Sequence, residues 1–225
     1  MLPAAGQGLR LGAGQPKALA SLGGRALLIH TLSRFAPLGL VRTAVILAPA
    51  GHTETYEALL GEFFPGHACT VLEGGAERQA SVERGIAALD RGTEIVIIHD
   101  AARPFPPEQA VREAMEAANG EYDGATVALP CADTILVGDA EQLLRHTPER
   151  RYMWACQTPQ VFPVAVIRAA HERARTEGFQ ATDDASLVQR MGGRVKLVHG
   201  SPLNFKVTSA ADLALAEAVY GNALA

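Results

Sequence analysis

EIVIIHD, residues 94–100, decides the fold. Four consecutive branched apolar residues, Ile95 to Ile98, leave neither side of a strand polar. A strand with one face in water alternates apolar and polar, whereas one covered by helices on both faces is apolar throughout. The stretch therefore predicts a strand inside a parallel sheet. On either side of it, strand-like and helix-like segments alternate. RALLIHTLSRFA (25–36) has helical apolar spacing, TAVILAPA (43–50) is a buried-strand run, and 53–62 reads as a helix. ACTVLEG (68–74) is a strand, and 78–89 is a helix with Val82, Ile86 and Leu89 on one face. A helix at 107–119 has Pro107 near its start, and GATVALP (124–130) is another strand. Helices fit 163–177, 182–191 and 210–220, with RVKLVHG (194–200) and NFKVT (204–208) between them. Such alternation implies an α/β fold with a doubly wound, mostly parallel sheet.

Residues 131–162 break the alternation. Short strand-like pieces are joined there by Gly138-Asp139 and by a polar, arginine-rich stretch. The pattern predicts a β-hairpin arm, at about 131–153, projecting from a single domain of residues 1–225. An isolated two-stranded hairpin is marginal in water. The arm therefore needs a partner surface, most simply a second copy of the chain in a symmetric dimer.

Ligands of open α/β sheets bind beyond the carboxyl ends of the strands, and three polar clusters fall there. The first is PAAGQGLRLGAGQPK, Pro3 to Lys17. Its glycines let backbone N–H groups face an anion without a Cβ in the way, and Arg10 and Lys17 add positive charge, which suits a triphosphate. A dinucleotide fingerprint is excluded, because Gly6 and Gly8 are followed by Gly12, one residue too late for Gly-x-Gly-x-x-Gly. A phosphate loop of the Gly-Lys-Ser/Thr kind is excluded too, because Lys17 follows Pro16 and precedes Ala18. A first strand feeding this loop should be about five residues long, yet only Met1 and Leu2 precede it. The expectation is a start further upstream or an unusually short strand.

The second cluster is EGGAERQAS (73–81), leaving a strand and entering a helix. Gly74 and Gly75 allow a flat base or ribose to come close, and Arg78 and Ser81 share a helical face. The third is HDAARP (99–104). Asp100 is placed to bind a divalent cation, directly or through water, or to close a turn. Arg103 serves either a phosphate or a structural ion pair, and His99 is expected to be structural.

Composition bounds the partners. The 225 residues are 48% hydrophobic and 20% charged, with a net charge of −4. This is a poor balance for nucleic-acid or anionic-membrane binding. Polyanionic substrates would need their cations gathered locally. Cys69, Cys131 and Cys156 form no CxxC and read as reduced thiols of a cytoplasmic protein. No apolar run approaches a membrane span.

Taken in order, PAAGQGLR, QPK, GGAERQAS, HDAARP, ADT (132–134), WACQTPQVF (154–162), TDDAS (182–186) and NFKVT resemble the 2-C-methyl-D-erythritol 4-phosphate cytidylyltransferases of the non-mevalonate isoprenoid pathway, essentially end to end. The resemblance implies a Rossmann-like nucleotidyltransferase fold with a projecting arm, a homodimer, CTP as co-substrate and Mg2+. Carried over by position, it implies catalytic cations at Arg10 and Lys17. It implies CTP contacts at Ala4, Ala5, Gly6, Gly75, Arg78, Ser81, Ala101 and Ala102. Sugar-phosphate contacts fall on Asp100, Thr158, Thr182 and Lys206, and the arm brings Thr134 and Arg150 into a neighbour's site. Asp100 is also the metal candidate. Ala76 stands where family members can carry an aspartate, so a CTP contact there rests on the backbone. A ribitol 5-phosphate cytidylyltransferase is the alternative, with uridylyl- and thymidylyltransferases and a non-catalytic nucleotide-binding module behind it.

Overall fold

A computed structural model describes residues 1–6, 8 and 15–224, the last two in backbone only. In the first sheet the very short β1 (Leu2–Pro3) pairs in parallel with β4 (Thr43–Ala48), and β4 with β5 (Ala68–Glu73). The second sheet runs β11 (Val195–His199), β7 (Gly124–Pro130), β10 (Trp154–Pro163), β6 (Ile95–Ile98). Backbone bonds join the two sheets. The Met1 nitrogen donates to Ile97 O at 2.7 Å, and His99 N donates to Met1 O at 3.0 Å. The site therefore forms where one continuous polar edge passes from β1 to β6.

β6 behaves as its composition dictates. Val96 and Ile98 pack with Val82, Ile167 and Leu187, from α3 (Arg78–Ala87), α5 (Val164–Glu177) and α6 (Asp184–Arg190). Ile95 and Ile97 pack on the opposite side with Ala110 and Ala114 of α4 (Glu108–Ala118). On that same side α1 (Leu27–Phe35) and α2 (Thr53–Phe63) cover β1 and β4 through Leu28, Leu32, Tyr56 and Leu60. Helices thus cover both faces, as in a doubly wound sheet. The C-terminal α7 (Ala210–Leu224) buries Ala216 with Leu22 and Leu27, beside the small hairpin of β2 (Ser21–Leu22) and β3 (Arg25–Ala26). α7 begins with a capping box: Ser209 Oγ accepts from Asp212 N, and the Asp212 carboxylate accepts from Ser209 N.

The arm is shorter than the irregular stretch 131–162. Only β8 (Val137–Gly138) and β9 (Leu144–His146) form the exposed hairpin. Its tip is an aspartate turn, in which Asp139 Oδ1 accepts from Glu141 N and Leu143 N. WACQTPQVF does not belong to an irregular region: it is most of β10, the antiparallel strand between β6 and β7. Its register against β7 jumps, with Cys156 opposite Ala128 but Gln160 opposite Thr126. The resulting bulge lifts Gln157, Thr158 and Pro159 out of the ladder, which bulges beside functional sites commonly do. NFKVT forms no strand; Val207 N donates to Ala102 O at 2.9 Å and hangs this segment beside the end of β6.

Candidate active site

One cleft opens at the carboxyl ends of β1, β5 and β6. Ala4, Ala5, Gly6, Lys17, Gly75, Arg78, Ser81, Asp100, Ala101, Ala102 and Lys206 line it together with four neighbours. Its cavity volume is about 170 Å³, below the usual range for small-molecule sites. Among its lining residues, Lys17, Arg78 and Lys206 are cationic and Glu77 and Asp100 anionic. A chain of net charge −4 thus gathers an excess of positive charge in this cleft.

The first wall is set by backbone. Lys17 N donates to Gly6 O at 3.1 Å, which returns the chain to the start of its loop. Gly8 has φ +67, and a Cβ there would stand 3.1 Å from the Lys17 backbone, so the close return requires glycine. The buried Tyr56 hydroxyl donates to Ala4 O at 3.3 Å and fixes the exit from β1. Arg10 lies outside the described residues.

The second wall follows β5. Gly74 N donates to Ala48 O at 2.7 Å. A Cβ on Gly74 would meet Ala5 Cβ at 2.6 Å, so the two walls touch only because this residue has no side chain. Ser81 is buried, and its Oγ accepts from Gly75 N at 3.0 Å and donates to Glu77 O at 3.1 Å. That hydroxyl therefore shapes the loop from beneath. Arg84 Nη1 donates to the carbonyls of Glu73 and Gly74.

The third wall centres on Asp100. Its carboxylate meets Lys206 Nζ at 2.7 Å, Arg78 Nε at 3.3 Å and Arg103 Nε at 3.8 Å. Burial alone raises a carboxyl pKa, but the charges of Lys206 and Arg78 outweigh it here and hold Asp100 well below the usual range. Arg78 is likewise opposed by burial and held charged by Asp184 and Asp100. Arg103 donates through Nη1 to Asn204 O at 2.7 Å and through Nη2 to Cys156 O at 3.4 Å. This places it in the structural ion-pair role rather than on a phosphate.

A buried relay supports this wall. His99 Nε2 faces Arg103 O at 3.0 Å and therefore carries the ring proton. Nδ1 accepts from the Thr158 hydroxyl at 3.0 Å, and that oxygen accepts from Asp100 N at 3.0 Å. Burial depresses the His99 pKa to about 4, so the ring is neutral. Thr158 is thus buried beneath Asp100, with its hydroxyl engaged by His99 and Asp100, and is not among the residues lining the cleft. Thr182 is exposed just before α6. Thr134 and Arg150 are exposed on the arm, where Arg150 Nη1 donates to Ala132 O at 2.8 Å, and neither lines this cleft.

The metal candidate has a single carboxylate. Among the described residues no group of three or more His, Cys, Asp or Glu is placed to hold an ion. Mg2+, however, keeps several waters and takes one or two carboxylates plus substrate phosphates. Asp100 fits it only as one ligand of a Mg2+–triphosphate complex.

The family model for 2-C-methyl-D-erythritol 4-phosphate cytidylyltransferase matches residues 1–222. The chain belongs to this family. A cytidylyltransferase of that name from Geotalea uraniireducens is 42% identical over 221 residues, covering 97% of this chain and 94% of its own. The crystal structure of the Thermus thermophilus cytidylyltransferase is similar at a TM-score of 0.78 and 37% identity, with 97% and 96% of the two chains covered. A 4-diphosphocytidyl-2C-methyl-D-erythritol synthase from Anaerococcus prevotii superposes at 0.85 with 27% identity, covering 98% and 96%. Relative to the cytidylyltransferase motifs, the sequence left Asp184, His171, Gln160, Thr31 and Tyr56 without a role. Asp184 bonds Arg78 from 106 positions away, a separation at which no spacing rule operates. Its one trace is the TDDAS motif itself.

Proposed function

We propose that the chain transfers CMP from CTP to 2-C-methyl-D-erythritol 4-phosphate, giving 4-diphosphocytidyl-2-C-methyl-D-erythritol and pyrophosphate for isoprenoid precursors. The observation that carries this reading is that Lys17, Arg78 and Lys206 line one cleft floored by alanine and backbone, the last two ion-paired with Asp100. The family match favours methylerythritol phosphate over ribitol 5-phosphate.

In this reaction a sugar-phosphate oxygen bonds to the α-phosphorus of CTP, the bond to the bridging oxygen breaks, and pyrophosphate leaves. The nucleophile is mostly dianionic at neutral pH, because a phosphate monoester has its second pKa at about 6, so no general base is needed. Repulsion is the obstacle: two unit charges 4 Å apart repel by about 4 kcal/mol at an effective dielectric of 20. Lys17 and Arg10 take the triphosphate, Lys206 and Asp100 orient the sugar phosphate, and Gly75, Arg78 and Ser81 shape the nucleotide pocket. Ala4, Ala5, Gly6, Ala101 and Ala102 offer backbone to the nucleotide. Asp100 would hold Mg2+ together with the triphosphate, and the ion would supply further charge neutralisation. The cations lower the barrier by stabilising charge on the α-phosphate and leaving group.

We assign Thr134 and Arg150 to the neighbouring site of a homodimer built through the arm. Supporting this, Leu136, Leu143, Leu144 and Tyr152 of the arm are 61–65% exposed, a concentration of apolar surface that a partner would cover. Thr182 joins them at the sugar-phosphate end, and Thr158 acts there from beneath Asp100. A cytoplasmic location accords with the free thiols Cys69, Cys131 and Cys156. No described helix is long and apolar enough to cross a membrane. Pyrophosphate release with CTP and Mg2+, given methylerythritol 4-phosphate or ribitol 5-phosphate, tests the reading. Release with the first and little with the second is expected; the reverse reassigns the substrate.

A further inference from the structure

We propose that Asp184 is a positioning residue for cytidylyl transfer, acting through Arg78. The inference rests on the reading of Arg78 as a CTP contact. Asp184 is 1% exposed, at the start of α6. Its Oδ2 accepts from Arg78 Nη1 at 2.7 Å, and its Oδ1 accepts from His171 Nε2 at 3.0 Å. The carboxylate is itself held in place: the Gln160 side-chain carbonyl accepts from Asp184 N at 2.9 Å, while Gln160 Nε2 donates to Asp183 Oδ2 at 2.7 Å. Gln160 belongs to β10, so Asp184 is tied to the middle of the sheet.

A guanidinium presents its N–H groups in one rigid plane. Nε lies on Asp100 and Nη1 on Asp184, so two edges are pinned and the plane cannot rotate. Nη2 is buried and has no hydrogen-bond partner among the described residues. A buried donor without an acceptor is costly, and this one belongs to a side chain lining the cleft. It is the donor held ready for the nucleotide. Without the Asp184 charge, Arg78 would share Asp100 with Lys206 and Arg103 and turn away from that direction.

The test is CTP binding by calorimetry, with Michaelis constants alongside. Asp184→Asn keeps size and an acceptor but drops the charge. It is expected to weaken CTP binding about tenfold, the effect of losing a charge-assisted hydrogen bond. The Michaelis constant for the sugar phosphate should change less than about twofold. In an Arg78→Met background the same change should weaken CTP by less than about twofold, since the group it acts through is gone. Asp184→Glu, which keeps the charge and moves it by one methylene, serves if the Asn variant folds poorly, and is also expected to weaken CTP. Equal loss with or without Arg78, equal effects on both substrates, or a fall in kcat alone would overturn the proposal. A wild-type chain that binds no CTP overturns both readings. Because the readout is binding, it decides the role of Asp184 even where turnover of the sugar phosphate fails.

Discussion

At the scale of residues, charge and burial carry the testable content. Lys17→Ala should lower turnover by about 10²-fold or more, the range for loss of one transition-state donor. Lys17→Arg should not restore it, because a planar fork does not replace a compact ammonium. Steady-state kinetics checks both, and near-normal turnover of the alanine variant removes Lys17 from the mechanism. His99 predicts an acid sensitivity. Its folded pKa of about 4 lies below the ordinary 6.5, so between these values the unfolded chain binds the extra proton. Stability therefore falls as pH drops from about 6.5 to 4, by up to about 1.4 kcal/mol per pH unit from this ring. His30, also lowered by burial, adds in the same direction. Calorimetric Tm measured across that window should fall in the wild type and fall less in His99→Gln; parallel profiles would remove His99 as the cause.

At the scale of elements, the glycine turn after β5 leaves little room for change. Gly74→Ala would force its Cβ against Ala5 at 2.6 Å and Ser81 Oγ at 2.9 Å. The expected cost is about 1–3 kcal/mol of stability, as for other overpacked sites, with weaker CTP binding. Urea unfolding and CTP titration check it, and an unchanged midpoint would show that the walls yield. The same scale explains what could be read in advance. Apolar periodicity located the helices and the parallel strands, because burial there is continuous and local. β10 was hidden for a physical reason. Pro159 argues against a central strand, and Gln157, Thr158 and Gln160 break its apolar pattern. Those polar groups are buried because their partners come from elsewhere: Ser201 and Asn204, His99 and Asp100, and Asp183 and Asp184. The bulge accommodates the proline. Likewise the cleft-lining residues were legible as motifs, whereas the supports Tyr56, Thr31 and His171 carry no local mark. Thr31, for example, donates to Ala101 O at 3.0 Å across 70 positions.

At the scale of the whole molecule, the arm is the part that the cleft does not account for. Arg150→Ala should raise the Michaelis constant for the sugar phosphate more than that for CTP, in line with its assignment to the acceptor end of a neighbour's site. Equal effects would contradict that assignment, and sedimentation of the wild type as a monomer would contradict the dimer. The returning limb of this arm has a mechanical consequence. β10 leaves the arm at Trp154, bulges beneath Asp100 at Thr158, crosses the sheet and delivers the chain into α5 and its His171. It is a single shaft running from the periphery to the seat of the reaction. A tug on the hairpin travels along covalent bonds as far as Thr158 and passes to Asp100 through a hydrogen bond, so whatever grips the arm also holds the floor of the cleft.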